Sequence, residues 1–228
     1  MNAEPAIQLR QATITYPGST FRMTIDRFEL ARQEQVACIG PSGSGKSTLI
    51  RILAGIQSAG EAQVSAGEFS VSGSSAAAVR AWRIRRVGLV FQDLQLLEYL
   101  TAWENILLPF AISGSIRPTE KDHDRLRALA DGMGIVDLLD RKPMRLSHGE
   151  RQRVAICRSM ATDPEILLCD EPTASLDPRN AAMAMDLLLE AASSCGCATF
   201  VVTHDHDMLA RFQRVVRMDE IAVMGGDS

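Results

Sequence analysis

A chain of 228 residues can bury one sizeable core, or a core with a smaller inserted unit. With 46% hydrophobic and 23% charged residues it is an ordinary globular composition, and a net charge of -4 argues against a broad basic face for nucleic acid. The longest tempting apolar stretch, 106–116, is shorter than the ~18 residues of a membrane span and holds Pro109 and Gly114; no signal-peptide pattern precedes it, so a cytoplasmic chain is expected.

No internal repeat is visible. Residues 7–36 read as short strands broken by turns, one at Tyr16-Pro17-Gly18. An apolar run at 36–39 leads through a glycine-rich loop into a helical pattern carried by Leu49, Ile52 and Leu53. The Gly/Ser/Ala-rich stretch 58–78 reads as loop, with one strand near 68–71. A strand is expected at 87–91, and 93–158 reads mostly as helix, including an amphipathic helix at 119–130 entered after Pro118. Two nearly continuous apolar runs, 166–169 and 199–202, flank a helix at 181–192; such runs suit parallel strands buried on both faces. The expected architecture is α/β with a helical insertion. Of the five cysteines, Cys38 and Cys169 lie in these apolar runs and read as small hydrophobes, while Cys195-Gly196-Cys197 has no further cluster to complete a metal site.

Gly40-Pro41-Ser42-Gly43-Ser44-Gly45-Lys46-Ser47-Thr48 fits the phosphate-loop pattern in its strand-to-helix setting. Glycines let the backbone turn so that N–H groups converge on an anion, and the following helix aims its positive end there. Lys46 would reach the β- and γ-phosphates as a point charge, and Ser47 offers a hydroxyl to Mg²⁺. The bland alternative is a Gly/Ser linker, which the placed lysine and flanking elements disfavour.

The run 166–169 ends in Asp170-Glu171. Asp170 suits Mg²⁺ and Glu171 an attacking water; alone, the pair could equally be a solvated turn before Pro172. His204 follows the strand 199–203, on the side where a doubly wound sheet binds ligands, and could contact a terminal phosphate; His206 reads as a surface or capping residue. Gln92 also ends a strand, within reach of a metal or water, although an ordinary polar residue explains it as well. Ser147 and Glu150, three apart before a helix, form a capping-box pattern, and a capped N-terminus with Gly149 is itself an anion site.

Taken in order, the phosphate loop, Gln92, Leu146-Ser147-His148-Gly149-Glu150, Asp170-Glu171, Ser175-Leu176-Asp177 and His204 resemble an ATP-binding cassette (ABC) ATPase over nearly the whole chain. The resemblance implies a P-loop cassette with a parallel core sheet, an antiparallel β subdomain and an inserted helical subdomain: core and β subdomain at 1–92 and 159–228, helical subdomain at 93–158. It implies ATP and Mg²⁺ as ligands and a homodimer with two ATP molecules at its interface. Tyr16 would stack on adenine. Gly40 to Thr48 would hold the phosphates, with Ser47, Gln92 and Asp170 on the metal. Glu171 would serve the water and His204 the γ-phosphate. Ser147 and Gly149 would contact ATP on the other protomer, and Asp177 would couple the two sites.

Within the family, residues 91–109, Arg83 to Arg86 and the His148 variant are most similar to the lipoprotein-release and macrolide-export class. That implies a subunit peripheral to the cytoplasmic face of the membrane, energising a separate permease and binding no nucleic acid. Leu94, Leu96, Leu97, Tyr99 and Leu100 would form the permease-facing patch, unless they are simply core. A force-transmitting cell-division type complex is an alternative. A soluble ABC protein would need long coiled coils or tandem cassettes, which this sequence lacks. His148 and Glu150 depart from the usual glycine and glutamine, 57–66 reads as an inserted loop, and no regulatory domain is expected after Met224.

Overall fold

A computed structural model describes residues 4–16, 18, 21–58 and 60–225; Pro17, in the expected turn, lies outside them. The first two strands, β1 (Ile7–Thr15) and β2 (Arg22–Leu30), pair antiparallel in the register Thr15↔Arg22 to Ile7↔Leu30. They are longer and more regular than the broken strands expected from sequence. β3 (Gln35–Ile39) then feeds α1 (Lys46–Leu53) through the glycine-rich loop.

The Gly/Ser/Ala-rich stretch is not a loop. It contains β4 (Gln63–Ala66), β5 (Phe69–Ser70) and the start of α2 (Ala76–Arg86). β4 is held by long-range pairing with β1, Leu9 opposite Val64, and buries Val64. α2 starts where the Ser75 hydroxyl accepts the Ala78 N–H, ahead of three alanines. So part of the expected 57–66 insertion, and the expected strand at 68–71, belong to one hairpin of the antiparallel sheet.

Next come β6 (Val87–Val90), α3 (Ala102–Ser113), α4 (Glu120–Gly132), α5 (His148–Ser159), β7 (Ile166–Asp170), α6 (Pro178–Ser194), β8 (Ala198–Val202), β9 (Arg214–Arg217), α7 (Met218–Ile221) and β10 (Val223–Gly225). α3 and α4 open with full capping boxes, Thr101 with Glu104 and Thr119 with Asp122. The segment 93–158 is mostly helical, as expected, with α3, α4 and most of α5 in it. Residues 91–101 are irregular, with Leu94 and Gln95 at positive φ, and this loop wraps the buried Asn105 amide. Asn105 accepts from Leu97 N–H at 2.8 Å and donates to the Leu97 and Thr101 carbonyls at 3.0 and 2.9 Å.

Two sheets result. One is antiparallel, in the order β10-β2-β1-β4-β5; the other is parallel, β6-β7-β8-β3-β9. Alternate residues of the parallel strands face two separate cores. Val36, Cys38, Leu168, Phe200 and Val202 join α1 and the antiparallel sheet. Ala37, Leu167, Cys169 and Val201 join the helical side. Burial on both faces is why these strands read as unbroken apolar runs. It also pushes the Cys38 thiol up to about 12 and raises Cys169 further, so both act as small hydrophobes. Gly196, at φ 68, turns α6 into β8 between a half-buried Cys195 and a buried Cys197. Among the described residues no helix is long and apolar enough to cross a membrane.

One close approach fixes the distance between the parallel sheet and α5. A Cβ on Gly88 would run into the backbone oxygen of Ser159, with Leu167 Cδ1 only 2.9 Å away. Backbone cannot yield as a side-chain tip can. Gly88→Ala is therefore expected to cost about 2 kcal/mol of stability, read from the midpoint of urea unfolding; an unchanged midpoint would mean that the sheet and helix separate freely.

Candidate active site

The parallel register explains the site. Val90 lies level with Cys169, Asp170 with Val202, and Val202 with Cys38. Four neighbouring strands therefore end together, and the residues just beyond their ends meet at one edge. β6 supplies Gln92, β7 ends in Asp170 and leads into Glu171, β8 leads to His204, and β3 opens into the phosphate loop. Gly40, Ser42, Gly43, Gly45, Lys46, Ser47, Thr48, Gln92, Asp170, Glu171 and His204 line one cavity of about 600 Å³, joined by Tyr16, Phe21 and Ala174. A cavity of about 740 Å³ between α1, the β4–β5 hairpin and α2 takes in none of these motif residues.

The loop is built for an anion. α1 is capped by Gly45 at φ 88 with no side-chain hydrogen bond, so its first N–H groups are left for a ligand. Gly45 is required for its left-handed backbone; a Cβ there would also press on the Met23 thioether, the tip of a flexible side chain. Lys46 Nζ donates to the Gly40 and Pro41 carbonyls, both at 2.8 Å, which leaves one of its three N–H groups free. Pro41 thus acts through its carbonyl, outside the cavity lining. The Ser44 hydroxyl is buried without a hydrogen-bond partner among the described residues. A phosphate fits this set of unspent donors.

The acidic edge is equally definite. Asp170 is buried. Glu171 sits at φ 52, an uncommon conformation for a non-glycine residue, and its N–H continues the sheet by donating to Val202 O at 3.0 Å. His204 Nδ1 lies 2.8 Å from Glu171 Oε1, with the histidine side chain 71% exposed and the glutamate side chain 13%. A metal would find oxygen donors of three kinds in this cavity: the Ser47 hydroxyl, the Gln92 amide and the Asp170 carboxylate. That donor set suits a hard cation that also takes phosphate oxygens.

Tyr16 is anchored rather than loose. Its hydroxyl lies 2.9 Å from Thr48 Oγ1 and 3.1 Å from the Gln57 side-chain nitrogen. Its ring meets Phe21 at 5.5 Å between centroids. Sequence reading missed Phe21, although the hairpin register carries the signal: one step beyond Thr15↔Arg22 sets Tyr16 beside Phe21.

Ser147 and Gly149 stand apart from this cavity, at the start of α5. The capping box forms as expected: Glu150 N–H donates to Ser147 Oγ at 3.3 Å, and Glu150 Oε2 accepts Ser147 N–H at 2.6 Å. That second bond holds the Glu150 carboxyl below its ordinary range. Ser147 and His148 are exposed. Asp177 caps α6 by accepting Asn180 N–H at 3.2 Å. His206 opens a short 3-10 turn that Asp205 caps.

The family model described as ABC transporter matches residues 24–174. The lipoprotein-releasing system ATP-binding protein LolD of Pseudomonas fluorescens is 39% identical over 206 residues, covering 90% of this chain and 89% of that protein. LolD of Chromohalobacter salexigens is 39% identical over 192 residues, 82% and 78% of the two chains. The phosphonates import ATP-binding protein PhnC 1 of Rhodopseudomonas palustris is 38% identical over 205 residues, 87% and 75%. Among solved structures, a dimeric form of the bacterial ABC transporter cassette MJ0796 superposes with a TM-score of 0.81 at 28% identity, covering 92% of this chain and 93% of that one. A post-hydrolysis form of the same cassette, bound to ADP and Pi, gives 0.80 at 30% identity with the same coverage.

Proposed function

This chain belongs to the ABC transporter family of ATPases, and from that premise we propose that it binds MgATP at the edge of its parallel sheet and energises a separate membrane permease of the lipoprotein-release type. One observation carries the reading. Lys46, Asp170, Glu171 and His204 converge on one cavity where four strands end in register. Lys46 and the loop N–H groups hold the β- and γ-phosphates. Tyr16, with Phe21 behind it, offers a ring to adenine. Ser47, Gln92 and Asp170 would hold Mg²⁺, which when bound supplies positive charge to the phosphates. Glu171 orients the attacking water. His204, with Nδ1 2.8 Å from Glu171 Oε1, stands at the end of the cavity proposed for the γ-phosphate.

The chain divides into a core with β subdomain, 1–92 and 159–228, and a helical subdomain, 93–158. A second copy would present Ser147 and Gly149 to this copy's ATP, and the exposed, anion-favouring start of α5 supports that arrangement. The dimer would sit peripherally on the cytoplasmic face of the membrane.

A groove of about 240 Å³ between α2, β6 and α3 supports permease docking. It is lined by Phe91, Gln95, Leu108, Pro109 and Ile112, among others. Of the five residues expected from sequence to form the patch, Leu94 is buried, Leu96, Leu97 and Leu100 are half-buried, and Tyr99 is 70% exposed. Ile112, absent from that set, is 58% exposed. Tyr99→Asp together with Ile112→Asp is expected to leave folding and ATP affinity intact and to abolish co-purification of the permease. The tagged chain purified from native membranes in mild detergent makes the test. A partner with few spans and a large extracytoplasmic domain supports the lipoprotein-release reading. A partner with many spans replaces it with import, the activity named in one relative. No membrane partner at all overturns the transporter role.

A further inference from the structure

Gln152 lies in the second turn of α5, five residues after Ser147, and is 2% exposed. A buried amide needs partners for both its ends. Gln152 Nε2 donates to the Glu171 carbonyl at 3.2 Å, and Gln152 Oε1 accepts Ser175 N–H, also at 3.2 Å. One side chain therefore bridges the two ends of the turn after Asp170.

That turn needs a brace. Glu171 occupies the left-handed region at φ 52, which costs an L-residue energy and persists only when its surroundings hold it. Its carbonyl also accepts Ala174 N–H at 3.3 Å, and Leu176 N–H donates to Thr173 O at 3.0 Å. A second contact from the same helix is independent of the amide. A Cβ on Gly149 would stand 2.8 Å from Leu176 Cδ2, so the bare face at Gly149 is the seat of Leu176. α5 thus grips the turn at Glu171, at Ser175 and at Leu176.

We infer that Gln152 is a positioning residue that makes the start of α5 and the Glu171 turn one mechanical unit. A phosphate on the partner copy, met by Ser147, then sets the backbone that aims Glu171 at this chain's own nucleotide. The inference rests on the roles proposed above for Ser147 and Glu171.

The test uses the full chain and steady-state ATP turnover. Gln152→Met keeps the length and packing of the side chain and removes both hydrogen bonds. It is expected to lower kcat about tenfold to a hundredfold, since misaimed groups cost that much, while KM and the equilibrium affinity for ATP move by less than about twofold. In a Glu171→Gln background, Gln152→Met is expected to lower the residual rate no further, because the group it aims is already lost. A general structural defect would multiply with that loss instead, and multiplied losses overturn the inference, as does an unchanged kcat in the single variant. Should Gln152→Met fail to fold, Gln152→Glu, which keeps only the bond from Ser175, carries the same cycle with a smaller expected loss of kcat. If Glu171→Gln by itself turns over ATP at the wild-type rate, the carboxylate assignment and the inference fall together; if only the cycle fails, that assignment stands.

Discussion

Glu171→Gln should slow ATP turnover by about a hundredfold to ten-thousandfold, the range of a lost general base, while ATP binding stays close to that of the unaltered chain. The substitution preserves shape, and a glutamine oxygen can still meet His204 where Glu171 Oε1 now lies at 2.8 Å. What disappears is the negative charge proposed to orient and activate the attacking water. Binding should survive because its proposed donors lie elsewhere, on Lys46 and the uncapped start of α1. With hydrolysis blocked and both nucleotides held, the variant should run as a dimer in size-exclusion chromatography with MgATP and as a monomer without it. Phosphate release measured alongside binding of a fluorescent ATP analogue checks the split. Turnover within threefold of the unaltered protein, roughly 0.7 kcal/mol in barrier, would remove Glu171 from the reaction.

Lys46→Ala should weaken ATP binding by about a hundredfold, the equivalent of roughly 3 kcal/mol for a lost charge-assisted hydrogen bond to phosphate. The lysine has a second duty. Two of its N–H groups tie the Gly40 and Pro41 carbonyls at 2.8 Å, so the loop is partly shaped before any nucleotide arrives. Alanine therefore removes both the charge proposed to meet the phosphate and the ties that shape the loop. Isothermal titration with ATP reports the sum. The thermal midpoint without ligand separates a lost contact from a disordered loop, and it should fall by only a few degrees, about 1 kcal/mol for a domain of this size. Affinity unchanged from that of the unaltered chain would show that phosphate binds elsewhere.

The motifs proposed to carry the chemistry were readable because they are local. A phosphate loop needs only glycines, a lysine and a hydroxyl at fixed spacing between a strand and a helix, and all of these lie within Gly40 to Thr48. The parallel strands were readable because burial on both faces leaves unbroken apolar runs at β3, β7 and β8. A capping box announced α5 for the same reason, since donor and acceptor are three residues apart. The rest depended on partners distant in the chain. β4 read as loop because pairing with β1, more than fifty residues earlier, is what makes it a strand. Gly88 serves to admit the end of α5, for which no spacing rule exists. The bond of Gln152 to Glu171 crosses from a helix to a strand end, and the seat of Tyr16 joins a hairpin to α1. Periodicity and spacing determine which segments fold and which residues can do chemistry. Sheet register and the close approach of backbones, set only when distant segments meet, decide which of those residues touch.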